Sequence, residues 1–311
     1  MVIQPPLLVI VGPTGVGKTA VAACLAASVP MEVVSADSRQ VYRGMDIGTG
    51  KPTPEERKAV THHLLDLIEP GERYHAARFR LDAARAIEGI RAAGRLPVVV
   101  GGTGLYVRAL LRGLDPAPPA DPALRGRLEE TAKTKGPGAL HERLAALDPE
   151  RAARLHPNDR VRIIRAIEKH GRGAASAGGW ARAITPWRVL MFGLRRERGA
   201  LNRRLEERAR SMLAGGMMGE VRRLLAEGHD EAAPGMAGIG YRQWANVARG
   251  RLPEAEALRL MIRDTQRYAK RQMTWFAREP EIRWLDVDEV GGVEGAAESI
   301  HKHILREGWI E

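Results

Sequence analysis

Apolar side chains in this chain fall into short continuous runs separated by polar, glycine-rich stretches. Residues 7–11 (LLVIV) hold no polar position, as in a strand buried on both faces. The run stops at a glycine-rich turn, and residues 18–28 continue as a helix. Residues 31–38 (MEVVSADS) form a second β-rich run with a polar end, 62–68 (HHLLDLI) a third, and 96–104 (LPVVVGGTG) a strand carrying glycines at its carboxyl end. Between them Phe79, Ala83, Ile87 and Ile90 recur at helical spacing through residues 76–93, and Gly94 suits the position past a helix end. Strands of Val, Ile and Leu alternating with helices predict a parallel sheet covered on both faces.

The rhythm changes at residues 113–123 (GLDPAPPADPA), a proline-rich stretch that continues neither a helix nor a central strand. From there to about residue 182 the spacing is helical and no strand is indicated. Within it, residues 133–139 (KTKGPGA) and 171–179 (GRGAASAGG) read as flexible connections. Residues 187–194 restore the β pattern, 200–226 and 254–277 read as long helices, 281–287 as a last strand and 294–306 as a closing helix. The expected organisation is an α/β core in two parts, residues 1–113 and 185–311, interrupted by an all-helical insertion over 114–184.

Charge sharpens this picture. Lys and Arg number 49 against 38 Asp and Glu, a net charge of +11 and a pI near 10.3. Such a surplus fits a polyanionic partner, nucleic acid first, although arginine usage in a GC-rich genome gives the same composition. No run approaches the roughly 20 apolar residues of a membrane helix, and the N-terminus lacks the basic region of a signal peptide. A cytoplasmic protein is expected. The single cysteine, Cys24, excludes an internal disulfide and a multi-cysteine metal site. Adjacent residues of a strand point to opposite faces, so His62 and His63 read as structural rather than metal-binding.

Residues 12–19 (GPTGVGKT) fit G-x-x-x-x-G-K-[ST] at every fixed position, after a predicted strand and before a predicted helix. The glycines Gly12, Gly15 and Gly17 let successive N–H groups turn toward an anion, helped by the helix N-terminus. The candidate cradle for a diphosphate or triphosphate is therefore Gly12, Pro13, Thr14, Gly15, Val16, Gly17, Lys18 and Thr19. Lys18 suits terminal phosphate oxygens, and the Thr19 hydroxyl suits Mg²⁺. The predicted fold class is thus α/β of the P-loop NTPase kind, a parallel sheet covered by helices. A GTPase would need a guanine-reading N/T-K-x-D segment, and none is present. A hydrolysing ATPase usually ends a second strand in a carboxylate, whereas residues 101–104 read GGTG. In a parallel sheet the carboxyl ends of strands share one crevice, which should bring Asp37 and Thr103 near the phosphate loop. Asp37 is the candidate base, or a Mg²⁺ ligand through water.

Several stretches taken together, GPTGVGKT, SADSRQVYRGMDIGTGKP (35–52), HHLLD (62–66), PVVVGGTGLYVRALLRGL (97–114), LDPERAARLHPNDRVRIIRAIE (147–168), GIGYRQ (238–243) and AKRQMTWF (269–276), closely resemble the tRNA dimethylallyltransferase family in its short bacterial form. The resemblance covers nearly the whole chain. It implies transfer of a dimethylallyl group from dimethylallyl diphosphate to N6 of the adenosine 3′-adjacent to the anticodon of tRNA. Diphosphate is the leaving group, Mg²⁺ the cofactor, and the anticodon stem-loop the partner; a monomer is expected. The resemblance assigns Asp37, Lys18 and Thr19 to catalysis, and Arg208 beside the diphosphate. To tRNA it assigns Asp37, Ser38, Arg39, Gln40 and Thr103, then Val161, Arg162, Ile163, Ile164 and Arg165. Gly240, Tyr241, Arg242, Lys270, Arg271 and Gln272 complete that surface.

In the segment opened by HPND, Asn158 or Asp159 can cap a helix on which Val161, Ile164 and Ile167 form one apolar stripe, leaving Arg162 and Arg165 on another face. The chain departs from the family at Val161, usually glutamine, and at Ala277, usually arginine. The rivals are an isopentenyltransferase acting on free AMP, ADP or ATP, a small-molecule kinase, and an RNA-binding ATPase switch. A mononucleotide needs no basic helical insertion, which weighs against the first.

Overall fold

A computed structural model describes residues 4–114, 121–171 and 185–310, with the Pro137 side chain excepted. The chain divides into two compact units, Met1–Leu111 with Ile184–Glu311, and Arg112–Ala183. In chain order the first unit begins with β1 (Pro6–Val11), α1 (Lys18–Leu25), β2 (Met31–Ser35), α2 (Pro54–Ala59), β3 (His62–His63), α3 (Ala76–Ala92), β4 (Leu96–Gly101) and α4 (Gly104–Arg112). The second unit holds α5 (Pro122–Lys135), α6 (Pro137–Leu147), α7 (Pro149–Ala153) and α8 (Arg160–His170). The first unit then resumes with β5 (Arg188–Arg195), α9 (Arg198–Ala214), α10 (Met217–Ala226), α11 (Tyr241–Ala248), α12 (Glu254–Phe276), β6 (Arg283–Asp286) and α13 (Gly292–Arg306).

The six strands form one sheet in the order β3-β2-β4-β1-β5-β6, and every described pairing is parallel. Strands β1, β2 and β4 carry no exposed residue, and Leu7 to Val11 are fully buried. A parallel sheet sandwiched by helices leaves such strands no polar face, hence the unbroken apolar runs. One core packs α1 and α13 against the sheet through Val21, Leu25, Ile300 and Ile304. Another gathers Met45, Met217, Val221, Trp244 and Met261 around α10, α11 and α12. Among the described residues no helix is long and apolar enough to cross a membrane.

Four expectations are corrected. The third β run shrinks to His62–His63, because Leu64 (φ 65°) and Asp66 (φ 56°) take left-handed backbone that a strand cannot continue. Residues 200–226 are not one helix: α9 ends at Ala214, and Gly216 with φ 100° starts α10 in a new direction. The connection expected over 133–139 reduces to Gly136, since α5 and α6 run up to either side of it. Residues 172–179 and 115–120 lie outside the described residues.

The fourth concerns α8. Asp159 caps it by accepting from the Arg162 N–H at 3.3 Å. The buried stripe is Ile163, Ile164 and Ile167, packed with Leu128, Leu140 and Leu144, whereas Val161 is 80% exposed. Val161 falls in the first turn of the helix, and the last turn buries Glu168, which is 2% exposed. Its carboxylate accepts from Arg125 Nε at 2.7 Å, Arg125 Nη2 at 2.8 Å, Arg165 Nη1 at 3.0 Å and the Asp121 N–H at 3.0 Å. Burial pushes its pKa up, but these bonds outweigh that and hold it at about 2.

Candidate active site

The turn after β1 is built for an anion. At Gly12 (φ 146°) a Cβ would stand 2.5 Å from the Leu194 carbonyl oxygen, so no other residue fits there. Lys18, the first residue of α1, folds back and donates to the Gly12 and Pro13 carbonyls at 3.0 and 2.8 Å. Its ammonium waits over its own loop. Burial lowers its pKa to about 8, opposed by nearby Asp37 and reinforced by Arg208. Val16 is fully buried in the sheet core, so only its backbone faces the loop. Thr14 is held from two sides: its N–H donates to Gln272 Oε1 at 2.8 Å, and its hydroxyl accepts from Arg208 Nη1 at 2.9 Å. Burial is also the main cause lowering the Arg208 pKa.

Asp37 follows β2 and lies beside the loop, as parallel topology requires. One carboxylate oxygen accepts from the Arg39 N–H at 2.8 Å. Thr103, beyond β4, donates its N–H to the Ala36 carbonyl at 3.1 Å, and its hydroxyl accepts from the Ser38 N–H at 3.1 Å. The phenol of Tyr268, on α12, is pushed up to about 12, mainly by burial and then by Asp37. Gln40 turns inward, accepting from Ser35 Oγ at 3.0 Å and donating to the Gly50 carbonyl at 3.0 Å. It shapes the following loop rather than reaching outward. Arg39 Nη1 donates to the Pro234 carbonyl at 2.9 Å.

Two cavities meet at these residues. One, of about 1070 Å³, is lined by Lys18, Thr19, Asp37, Arg204 and Arg208 among others. The second, of about 520 Å³, is bordered by Ser38, Arg39, Arg242, Tyr268 and Arg271. Thr14, Asp37, Thr49, Arg208 and Met212 line both. A carboxylate, a guanidinium and two threonines thus stand where a ligand in one cavity would face a ligand in the other. No group of three or more His, Cys, Asp and Glu suited to a metal occurs among the described residues. Thr19 and Asp37 present hard oxygen donors to the larger cavity, a donor set that fits Mg²⁺ only if a bound phosphate supplies further oxygens. His62 lines the larger cavity and pairs its Nδ1 with the Val60 carbonyl at 2.9 Å, its buried Nε2 having no partner among the described residues, and His63 Nε2 pairs with Glu32 at 2.5 Å.

Several residues expected to face tRNA do not reach solvent. Ile163 and Ile164 belong to the helical core, 0% and 6% exposed. Tyr241 is 1% exposed, and its hydroxyl donates to Glu220 at 2.6 Å. Gly240 is buried, its N–H donating to Gln243 Oε1 at 2.8 Å. Gln272 is 5% exposed. Tyr241 and Gln272 are held by partners distant in sequence, Ile163 and Ile164 by the core of their own unit, and Gly240 by the Gln243 amide in the next turn. Arg162, Arg242, Lys270 and Arg271 are exposed; Arg242 pairs with Asp264, and Arg271 lies 5.8 Å from the Tyr268 ring. Arg165 is committed to Glu168. Sequence reasoning missed Arg204, Met212, Asp264 and Tyr268. Arg204 and Met212 lie one turn either side of Arg208 on α9, and Asp264 and Tyr268 share a face of α12 with Arg271, so helical spacing could have found them.

The chain matches two family profiles, one described as IPP transferase over residues 40–279 and one as isopentenyl transferase over residues 5–68. It is 46% identical to a tRNA dimethylallyltransferase of Desulforudis audaxviator, over 99% of this chain and all of that one. It is 48% identical to one of Thermomicrobium roseum, over 98% of this chain and 93% of that one. Among solved structures it is similar to the full-length tRNA isopentenylpyrophosphate transferase of Bacillus halodurans. That match has a TM-score of 0.72 and 37% identity, covering 97% of this chain and 96% of that one. A eukaryotic dimethylallyltransferase solved acting on tRNA matches with a TM-score of 0.79 and 25% identity, over 97% of this chain and 79% of that one.

Proposed function

The chain belongs to the IPP transferase family, and from that premise we propose that it transfers a dimethylallyl group from dimethylallyl diphosphate to tRNA. The acceptor is N6 of the adenosine 3′-adjacent to the anticodon. The observation that carries this reading is the junction of two cavities at Thr14, Asp37 and Arg208. The larger, on the phosphate-loop side, takes the prenyl diphosphate, and the smaller, rimmed by arginines, takes the adenine.

The exocyclic nitrogen attacks the allylic carbon, the carbon–oxygen bond breaks, and its electron pair leaves on diphosphate. That charge grows in the transition state, where Lys18, Arg208 and the loop N–H groups stabilise it more than in the ground state. The Asp37 carboxylate, already fixed by the Arg39 N–H, takes the proton that N6 must lose. Thr19, and Asp37 through water, would hold Mg²⁺, which when bound supplies further positive charge to the leaving diphosphate. The exposed arginines and Lys270 supply phosphate contacts, and Tyr268 a flat surface for an extruded base.

The two-sided assignment is tested by steady-state kinetics on variants that touch one cavity each. Arg204→Ala, on the larger cavity, should raise the KM for dimethylallyl diphosphate and leave that for tRNA unchanged. Arg242→Ala, on the smaller, should do the reverse. If each variant shifts both constants equally, the cavities do not divide the substrates in this way.

A further inference from the structure

Gln272 carries a role that neither the motif nor the family resemblance assigned to it. It sits on α12, one turn beyond Tyr268, but its side chain turns away from the smaller cavity. Its Oε1 accepts from the Thr14 N–H at 2.8 Å, and its Nε2 donates to the Gly102 carbonyl at 2.9 Å. One amide therefore ties the phosphate loop to the glycine turn after β4, across 258 and 170 residues of sequence. Both bonds are sheltered, since Gln272 is 5% exposed. The fit is close: a Cβ on Gly102 would stand 2.2 Å from Nε2. Glycine at 102 is therefore what admits the amide.

Among the described residues the Thr14 backbone has no second side-chain anchor, and its hydroxyl is the partner of Arg208. Fixing the Thr14 peptide fixes where that hydroxyl, and so the guanidinium, can stand. We propose that Gln272 is a positioning residue for the diphosphate end of the site and not a tRNA contact. The proposal rests on the reading that the loop holds a diphosphate. An amide suits the place because it supplies one acceptor and one donor in a fixed plane. Glutamate would accept from Thr14 but turn an oxygen against the Gly102 carbonyl, and would put a negative charge beside the diphosphate. Methionine would fill the space and make neither bond.

The test is calorimetric binding of inorganic pyrophosphate with Mg²⁺, together with steady-state constants for both substrates, on Gln272→Met and Gln272→Glu. Loss of a hydrogen bond that positions a charged ligand corresponds to about a tenfold change in affinity. Gln272→Met should weaken pyrophosphate binding and raise the KM for dimethylallyl diphosphate by about tenfold, and Gln272→Glu by more. The dissociation constant for tRNA should stay within about twofold in both, below the tenfold step that one lost hydrogen bond represents. A purely structural role would lower the melting temperature without this selective loss. Should Gln272→Met not fold, Gly102→Ala displaces the amide from the opposite side and must reproduce the same selectivity. Wild-type pyrophosphate affinity in the variants, or a loss of tRNA affinity matching the loss for pyrophosphate, overturns the proposal. If the wild type itself fails to bind pyrophosphate, the diphosphate reading fails first and the proposal goes with it.

Discussion

Lys18 makes diphosphate binding a proton-linked event, and the size of the effect follows from its surroundings. Its ordinary pKa of 10.5 is lowered to about 8, with burial the main cause. In the free protein the lysine is therefore mostly charged at pH 7, and about a tenth charged at pH 9. A diphosphate placed within about 4 Å contributes roughly 4 kcal/mol per charge at an effective dielectric of 20. Restoring the pKa to its ordinary value takes about 3 kcal/mol, so the bound lysine is charged throughout the window. Binding above pH 8 must then take up a proton, and affinity should fall about tenfold per pH unit between pH 8 and 10. The ligand does not mask this, because a terminal phosphate loses its last proton at about pH 6. The assay is calorimetric titration with dimethylallyl diphosphate and Mg²⁺, without tRNA, from pH 7 to 9.5 in buffers of different ionisation enthalpy. Uptake should approach one proton at the upper end. Lys18→Met should bind more weakly and show no slope. A flat wild-type profile, or the same slope in Lys18→Met, would refute the reasoning.

Four further outcomes are expected. Lys18→Met should be more stable than the ligand-free wild type at pH 7, by up to about 3 kcal/mol, as read by chemical denaturation. The sign follows from a folded pKa below the unfolded one: between pH 8 and 10.5 the unfolded chain holds a proton the folded chain has released, so wild-type stability rises with pH and the difference closes. Asp37→Asn should abolish transfer while tRNA binding, measured by filter retention, stays nearly intact; full activity would remove Asp37 as the base. Glu168→Gln should cost about 3 kcal/mol because it strands two arginines. In the wild type that contribution is complete above about pH 4.5 and lost as pH falls to about 2, so equal acid sensitivity in the two proteins would contradict it. Binding of tRNA should weaken steeply with salt, and Arg162→Ala should reduce the slope of log K against log salt by about one; an unchanged slope would place Arg162 off the RNA.

What could be read in advance depended on whether a feature is local. The phosphate loop and the parallel strands are encoded in contiguous residues, and topology alone brought Thr103 to Asp37, where the Ser38 N–H now joins them. The break at Gly215 and Gly216 was visible as a glycine pair, yet apolar spacing on both sides reads as one helix until the left-handed turn is seen. On α8, Val161 shares a face with Ile164 and Glu168 by spacing, but it lies in the first turn, where it is exposed, while Ile163 packs inside. Gln272 and Tyr241 look like surface residues next to exposed arginines. Their partners, Thr14 and Glu220, lie far away in sequence and were not predictable by spacing. Family resemblance supplied the chemistry of the motif residues but could not say which side chains face inward.

Every role proposed for these residues depends on one reaction, transfer of a dimethylallyl group to tRNA. The measurement that addresses it most directly is incubation of the protein with Mg²⁺, dimethylallyl diphosphate and unmodified tRNA, followed by nucleoside mass analysis, with AMP and ATP as parallel acceptors. An isopentenyl mass is expected on one adenosine of the tRNA and none on AMP. Alkylated AMP with unmodified tRNA, or phosphate transferred from ATP without alkylation, would contradict it.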